Sequence, residues 1–166
     1  FQVLTYNPVI RKLKPRVPLK ETRYLNMEQV KKLLAHVVDK SYGTAIWLQL
    51  YLGLRVGEVQ ALRWSDVDLA SGHVFIQRAF SRKDTWATKE LIIKDYPKGR
   101  KHHTLALPPE LWDFLKEKKK EANSVYVSPS PQGKILPYER YRRRLISFCE
   151  ELEIPVIGTH GLRHST

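Results

Sequence analysis

The chain is 166 residues long and 42% hydrophobic, which is enough for one domain with its own core. Lysine and arginine number 29 against 17 aspartates and glutamates, a formal net charge of +12, so the composition points to a polyanionic partner, nucleic acid before any other. No apolar run approaches the roughly 20 residues that span a bilayer, and a single cysteine, Cys149, excludes an internal disulfide and a cysteine-built metal cluster.

Residues 1–22 hold Arg11, Lys12, Lys14, Arg16 and Lys20 among prolines, with no acid before Glu21. That pattern describes an extended basic segment and no packed element. The opening FQVLTYNPVIRKLK lacks a signal peptide's charge followed by an apolar block, so a cytoplasmic location and no membrane partner are expected. At Leu25 a helix signature begins: Asn26 as cap, Gln29 reaching back, Leu25 stapled to Val30, and an apolar stripe of Val30, Leu33, Leu34, Val37 and Val38 running to about Asp39. From Gly43 the run TAIWLQLYL is apolar on nearly every side and predicts a buried central helix closed by Gly53. A new helix then starts at once, which places Arg55 at a rigid junction with Glu58 one turn away.

After Gly72 the alternation HVFIQRAF predicts a strand, followed by a second over about Trp86 to Lys94 and a third over His103 to Leu107. Between the last two, YPKGRKHH sets Lys98 at the tip of a turn fixed by Pro97 and Gly99, with Arg100 and Lys101 beside it as candidate DNA contacts. Pro108-Pro109-Glu110 opens a helix with Leu111, Trp112 and Leu115 inward and a lysine run as a solvated face. VYVSPSPQGK reads as a short strand and turn. The next amphipathic helix, PYERYRRRLISFCEEL, clusters arginines early, and Arg140 and Arg143 are candidates to track a phosphate backbone. Pro155 stops it, and Thr159 is the expected cap of a last helix carrying His160 and Arg163. The fold class expected is α+β, mainly helical, with a small three-stranded antiparallel sheet.

Two guanidiniums can each make paired hydrogen bonds to non-bridging phosphate oxygens and cannot lose charge near neutral pH, so Arg55 and Arg163, with His160 on the same helical face, suit one phosphodiester. At these residues a resemblance appears. LGLRVGEVQALRWSDVDL, followed about a hundred residues later by HGLRH, resembles the catalytic domain of the tyrosine recombinases, the phage-integrase family, over nearly all of the chain.

The resemblance implies an integrase-like catalytic domain over 23–166, with 1–22 as a linker tail from an absent N-terminal DNA-binding domain. It implies attack of a tyrosine hydroxyl on DNA to give a 3′-phosphotyrosyl link and a free 5′-hydroxyl, without metal or cofactor. Arg55 and Arg163 would hold the non-bridging oxygens, His160 would assist, and Lys98 would protonate the leaving oxygen. Glu58 would orient a site group, and His164 would pack and hydrogen bond behind the site. Double-stranded DNA is the expected partner, with a homotetramer forming on it at full length and a monomer for the chain alone.

The family's nucleophilic tyrosine lies beyond HGLRH, whereas none of the eight tyrosines here follows that motif. The expectation is therefore a piece of a longer protein that carries the activating groups and lacks the nucleophile. His160 and His164 stand at i, i+4 spacing, yet zinc is not expected, because the zinc-protease glutamate is missing and a guanidinium lies beside them. The alternatives are a type IB topoisomerase-like enzyme, a non-catalytic DNA-binding module, and a metal-dependent nuclease resting on Glu58, Asp66 and Asp68.

Overall fold

A computed structural model describes residues 24–84, 89–95 and 103–165. Helix α1, Met27–Val37, begins as its sequence dictates: the Asn26 side chain accepts the Gln29 N–H at 2.9 Å and the Gln29 side chain accepts the Asn26 N–H at 3.0 Å. It ends two residues short of Asp39, where Lys40 N–H turns back to the Val37 carbonyl. Helix α2, Gly43–Leu52, is the expected central element, with Ala45, Ile46 and Leu48 fully buried. Each fully buried leucine contributes about 1.5–3 kcal/mol relative to exposure. Gly53 closes α2 at φ 60°, a left-handed conformation that costs a glycine little. Helix α3, Val56–Ala61, follows directly.

A single 3₁₀ turn, Trp64–Asp66, leads into strands β1, Val67–Asp68, β2, His73–Ile76, β3, Arg78–Asp84, β4, Lys89–Asp95, and β5, His103–Ala106. All pairings are antiparallel, and a three-stranded sheet in the order β1-β2-β5 is present as the fold class requires. Its strands differ from those expected. The run HVFIQRAF breaks at Gln77: Val74 and Ile76 stay in the sheet opposite Leu105 and His103, while β3 leaves it to form a separate two-stranded ladder with β4. Two contacts hold β3 away. One Arg78 guanidinium nitrogen lies 2.5 and 2.6 Å from the two oxygens of the buried Asp66 carboxylate, which also accepts the Arg63 N–H. Gly57 of α3 lies against β3 so closely that a methyl group there would meet the Phe80 carbonyl oxygen at 2.2 Å.

Helix α4, Pro109–Lys120, starts with proline at its first position and buries Leu111, Phe114 and Leu115. Trp112 is only half-buried, its indole N–H donating to the Leu69 carbonyl at 2.9 Å. The Lys116, Lys118 and Lys119 ammoniums lie over the Trp112, Phe114 and Trp64 rings, so the lysine face expected to be merely solvated also covers aromatic surface. The strand expected in VYVSPS reduces to one bridge, Arg63 to Tyr126. Helix α5, Tyr138–Glu151, buries Tyr141, Leu145, Phe148 and Cys149, a thiol whose pKa burial raises. Helix α6, Thr159–His164, completes the core with Leu162. Among the described residues no helix is long and apolar enough to cross a membrane.

Candidate active site

Arg55 is the first residue outside α3, with extended backbone at φ −69° and ψ 149°. Its carbonyl accepts the Glu58 and Val59 N–H groups at 2.9 and 3.0 Å. Glu58 reaches back: Oε2 accepts the Arg55 N–H at 2.7 Å and Oε1 lies 3.3 Å from the guanidinium. The carboxylate is 8% exposed and the Arg55 side chain 47% exposed, so a buried acid fixes the root of an arginine whose head faces solvent. That is more than an exposed i, i+3 ion pair worth a few tenths of a kcal/mol.

The second half of the site rests on α6. Gly158, extended at φ −90° and ψ 177°, occupies the cap position, and its carbonyl accepts the Gly161 N–H at 2.8 Å. Thr159 was the expected cap, but it is already helical and buried, so its hydroxyl does not serve the helix end. Gly161 and Leu162 face inward and His160 and Arg163 face outward. His164 is exposed, contrary to the packed role expected of it, because the inward face at that end is taken by Leu162 and by Ser165. The Ser165 hydroxyl donates to the Gly161 carbonyl and accepts the Leu25 N–H, both at 2.8 Å, tying α6 to the start of α1.

The two halves meet at Gln49 and Gly53. The Gln49 amide nitrogen donates to the carbonyls of Leu54 at 3.1 Å and Thr159 at 3.4 Å, the residues immediately before Arg55 and His160. The Arg163 side chain packs over Gly53, its Cγ 3.8 Å from where a methyl group on that glycine would stand. Arg55, His160 and Arg163 therefore project from neighbouring turns on one hydrogen-bonded corner. Sequence reasoning passed over Gln49 and Ser165. The available signal for Gln49 was a single amide inside an otherwise apolar helix.

Beside this corner lies a cleft of about 720 Å³, lined by Val56 and Gly57 next to Arg55, by Phe80 of β3, and by Tyr138, Arg140 and Arg143 of α5. Arg140 and Arg143 are exposed, one turn apart on the same helix. The neighbouring Tyr141 is fully buried, its hydroxyl donating to Gln49 Oε1 at 2.5 Å, and burial pushes its pKa far above the ordinary value. It is unsuited to nucleophilic attack. Lys98, Arg100 and Lys101 lie outside the described residues.

A model of the phage integrase family matches residues 23–166. The ICEBs1 integrase of Bacillus subtilis (strain 168) is 24% identical over 169 residues, covering 90% of this chain and 44% of the relative. The prophage integrase IntF of Escherichia coli (strain K12) is 30% identical over 167 residues, covering 94% of this chain and 31% of the relative. The chain thus spans less than half the length of these curated relatives. Among solved structures, the Tn1549 transposon integrase in complex with circular intermediate DNA matches with a TM-score of 0.75 at 14% identity, over 89% of this chain and 54% of that one. XerA recombinase matches with a TM-score of 0.67 at 19% identity, over 92% and 50%. At such identities the structural likeness shows the fold.

Proposed function

The chain belongs to the phage integrase family, and on that premise we propose that it is the catalytic portion of a site-specific tyrosine recombinase that cuts and rejoins double-stranded DNA through a 3′-phosphotyrosyl intermediate. Residues 23–166 would form the catalytic domain and 1–22 a basic linker. The observation that carries this reading is the corner at Gln49, which sets the backbone of Arg55 beside that of His160 and Arg163.

In the proposed reaction Arg55 and Arg163 pair with the non-bridging oxygens of one phosphate and neutralise the charge that grows as the tyrosine oxygen attacks. Removing one such preorganised donor costs on the order of 10² to 10³ in rate. His160, exposed beside them, donates a hydrogen bond or moves a proton at the same phosphate. Glu58 keeps Arg55 aimed, and Lys98 is assigned, on the family resemblance alone, to protonate the departing 5′-oxygen. Arg140 and Arg143, with Arg100 and Lys101, would follow the DNA backbone. The nucleophile is assigned to none of this chain's tyrosines. The covalent link conserves the phosphodiester bond energy, so neither metal nor cofactor enters the scheme. At full length the protein would act in the cytoplasm as a homotetramer on two duplexes.

Strand exchange by the full-length protein between two labelled duplexes, with chelator present and ATP absent, tests the reading against its neighbours. Recombinant joints support it. Relaxation of supercoils without joints would instead indicate topoisomerase-like chemistry, and DNA binding without cleavage a non-catalytic module.

A further inference from the structure

Gln49 is an unusual occupant of its position. It sits midway along α2 among fully buried apolar side chains and is 1% exposed. A leucine there would fill similar space without burying an amide. All three of its hydrogen bonds leave α2, and each goes to a different element. The nitrogen reaches the Leu54 carbonyl in the turn before α3 and the Thr159 carbonyl at the start of α6, while the oxygen accepts from Tyr141 of α5. Tyr141 is itself fully buried, so both the anchor and the bridge are shielded from water.

The apolar side chains of the same core, Leu48, Leu54 and Leu162 among them, attract without a preferred direction. Hydrogen bonds to two carbonyls from one planar amide are directional, and a buried carbonyl left unpaired is costly. Leu54 is bonded to Arg55, and Thr159 to His160. A single rigid amide thus spans the roots of the two halves of the cationic corner, and the Arg163 stem packs against Gly53, two residues before Arg55.

We infer that Gln49 is a positioning residue, holding the Arg55 turn and the His160–Arg163 helix at the separation at which both arginines address the same phosphate. This rests on the shared-phosphate site proposed above. Gln49 does not touch the DNA; it acts through the two backbones it joins, and Tyr141 orients it.

The test is a double-variant cycle on the full chain, read as the affinity for an end-labelled duplex DNA at low salt. In the parent, Arg55→Ala and Arg163→Ala address one phosphate, so the loss in the double variant falls short of the product of the single losses by about threefold or more. In a Gln49→Met background, which keeps length and burial while removing all three hydrogen bonds, the losses become multiplicative to within about 1.5-fold. A change that merely lowers stability leaves the coupling intact at matched folded fraction. Coupling retained at the parent's value in Gln49→Met overturns the role of Gln49 and leaves the site standing. No coupling in the parent overturns the shared-phosphate site, and the inference falls with it. If Gln49→Met does not melt cooperatively, Tyr141→Phe replaces it: that variant frees only the amide oxygen, the coupling falls below the parent's, and an unchanged coupling overturns the inference.

Discussion

Glu58 grips Arg55 at two points, accepting its backbone N–H at 2.7 Å and lying 3.3 Å from its guanidinium. The acid is buried, so the first of these bonds is shielded and charge-assisted. Glu58→Ala should therefore lower stability by about 1–3 kcal/mol. In a thermal melt this corresponds to about 2–4 °C per kcal/mol for a chain of this size. Glu58→Gln, which keeps an acceptor, should lose less. A melt of Glu58→Ala that overlays the parent's would remove the grip.

Gly57 is expected to be intolerant of any side chain. A methyl group would stand 2.2 Å from the Phe80 carbonyl oxygen and 3.3 Å from its carbon, both backbone atoms, so α3 and β3 must separate. Gly57→Ala should cost about 1–3 kcal/mol in denaturant unfolding, although alanine is the better helix former. A stability equal to or above the parent's would show that the ladder β3-β4 yields freely.

Glu151 ties α5 to α1. It accepts from His36 at 2.9 Å and from Ser147 at 2.8 Å, and lies 3.0 Å from Arg144 and 3.5 Å from Lys40. These contacts, the His36 hydrogen bond foremost, lower its pKa from 4.5 to about 2. A depressed folded-state pKa gives stability that is present above the unfolded value and lost as pH falls through the folded one. The melting temperature should thus decline between about pH 4.5 and pH 2, and Glu151→Gln should flatten that decline. An identical acid limb in the variant would contradict the assignment.

Binding to duplex DNA should fall steeply with salt, each neutralised phosphate contributing about −0.9 to the log-log slope. Arg140→Ala combined with Arg143→Ala should reduce that slope by about 2 if both arginines meet phosphates. An unchanged slope would take α5 off the DNA backbone.

What could be read in the chain before folding was mostly local. The Asn26–Gln29 box and the Gly53 stop depend on residues three or four apart, and both are present. The arginines of LGLRVGE and HGLRH were legible because their chemistry constrains residue type. The break at Gln77 was not: it depends on Asp66 clasping Arg78 and on Gly57 approaching Phe80, contacts set by tertiary packing. The cap of α6 was misplaced by one residue because threonine is the better cap in isolation, whereas here burial claims its side chain. Gln49 was invisible for a related reason, since one amide in an apolar run takes its meaning from carbonyls five and 110 residues away.

The central claim, that Arg55 and Arg163 act on one scissile phosphate, is tested most directly by trapping the covalent protein–DNA adduct formed by the full-length gene product on a nicked suicide duplex. The account predicts an adduct in the parent whose rate of formation falls about 100-fold or more in Arg55→Ala and in Arg163→Ala, with a much smaller change in duplex affinity. A parent adduct that forms at the same rate in either arginine variant would contradict it.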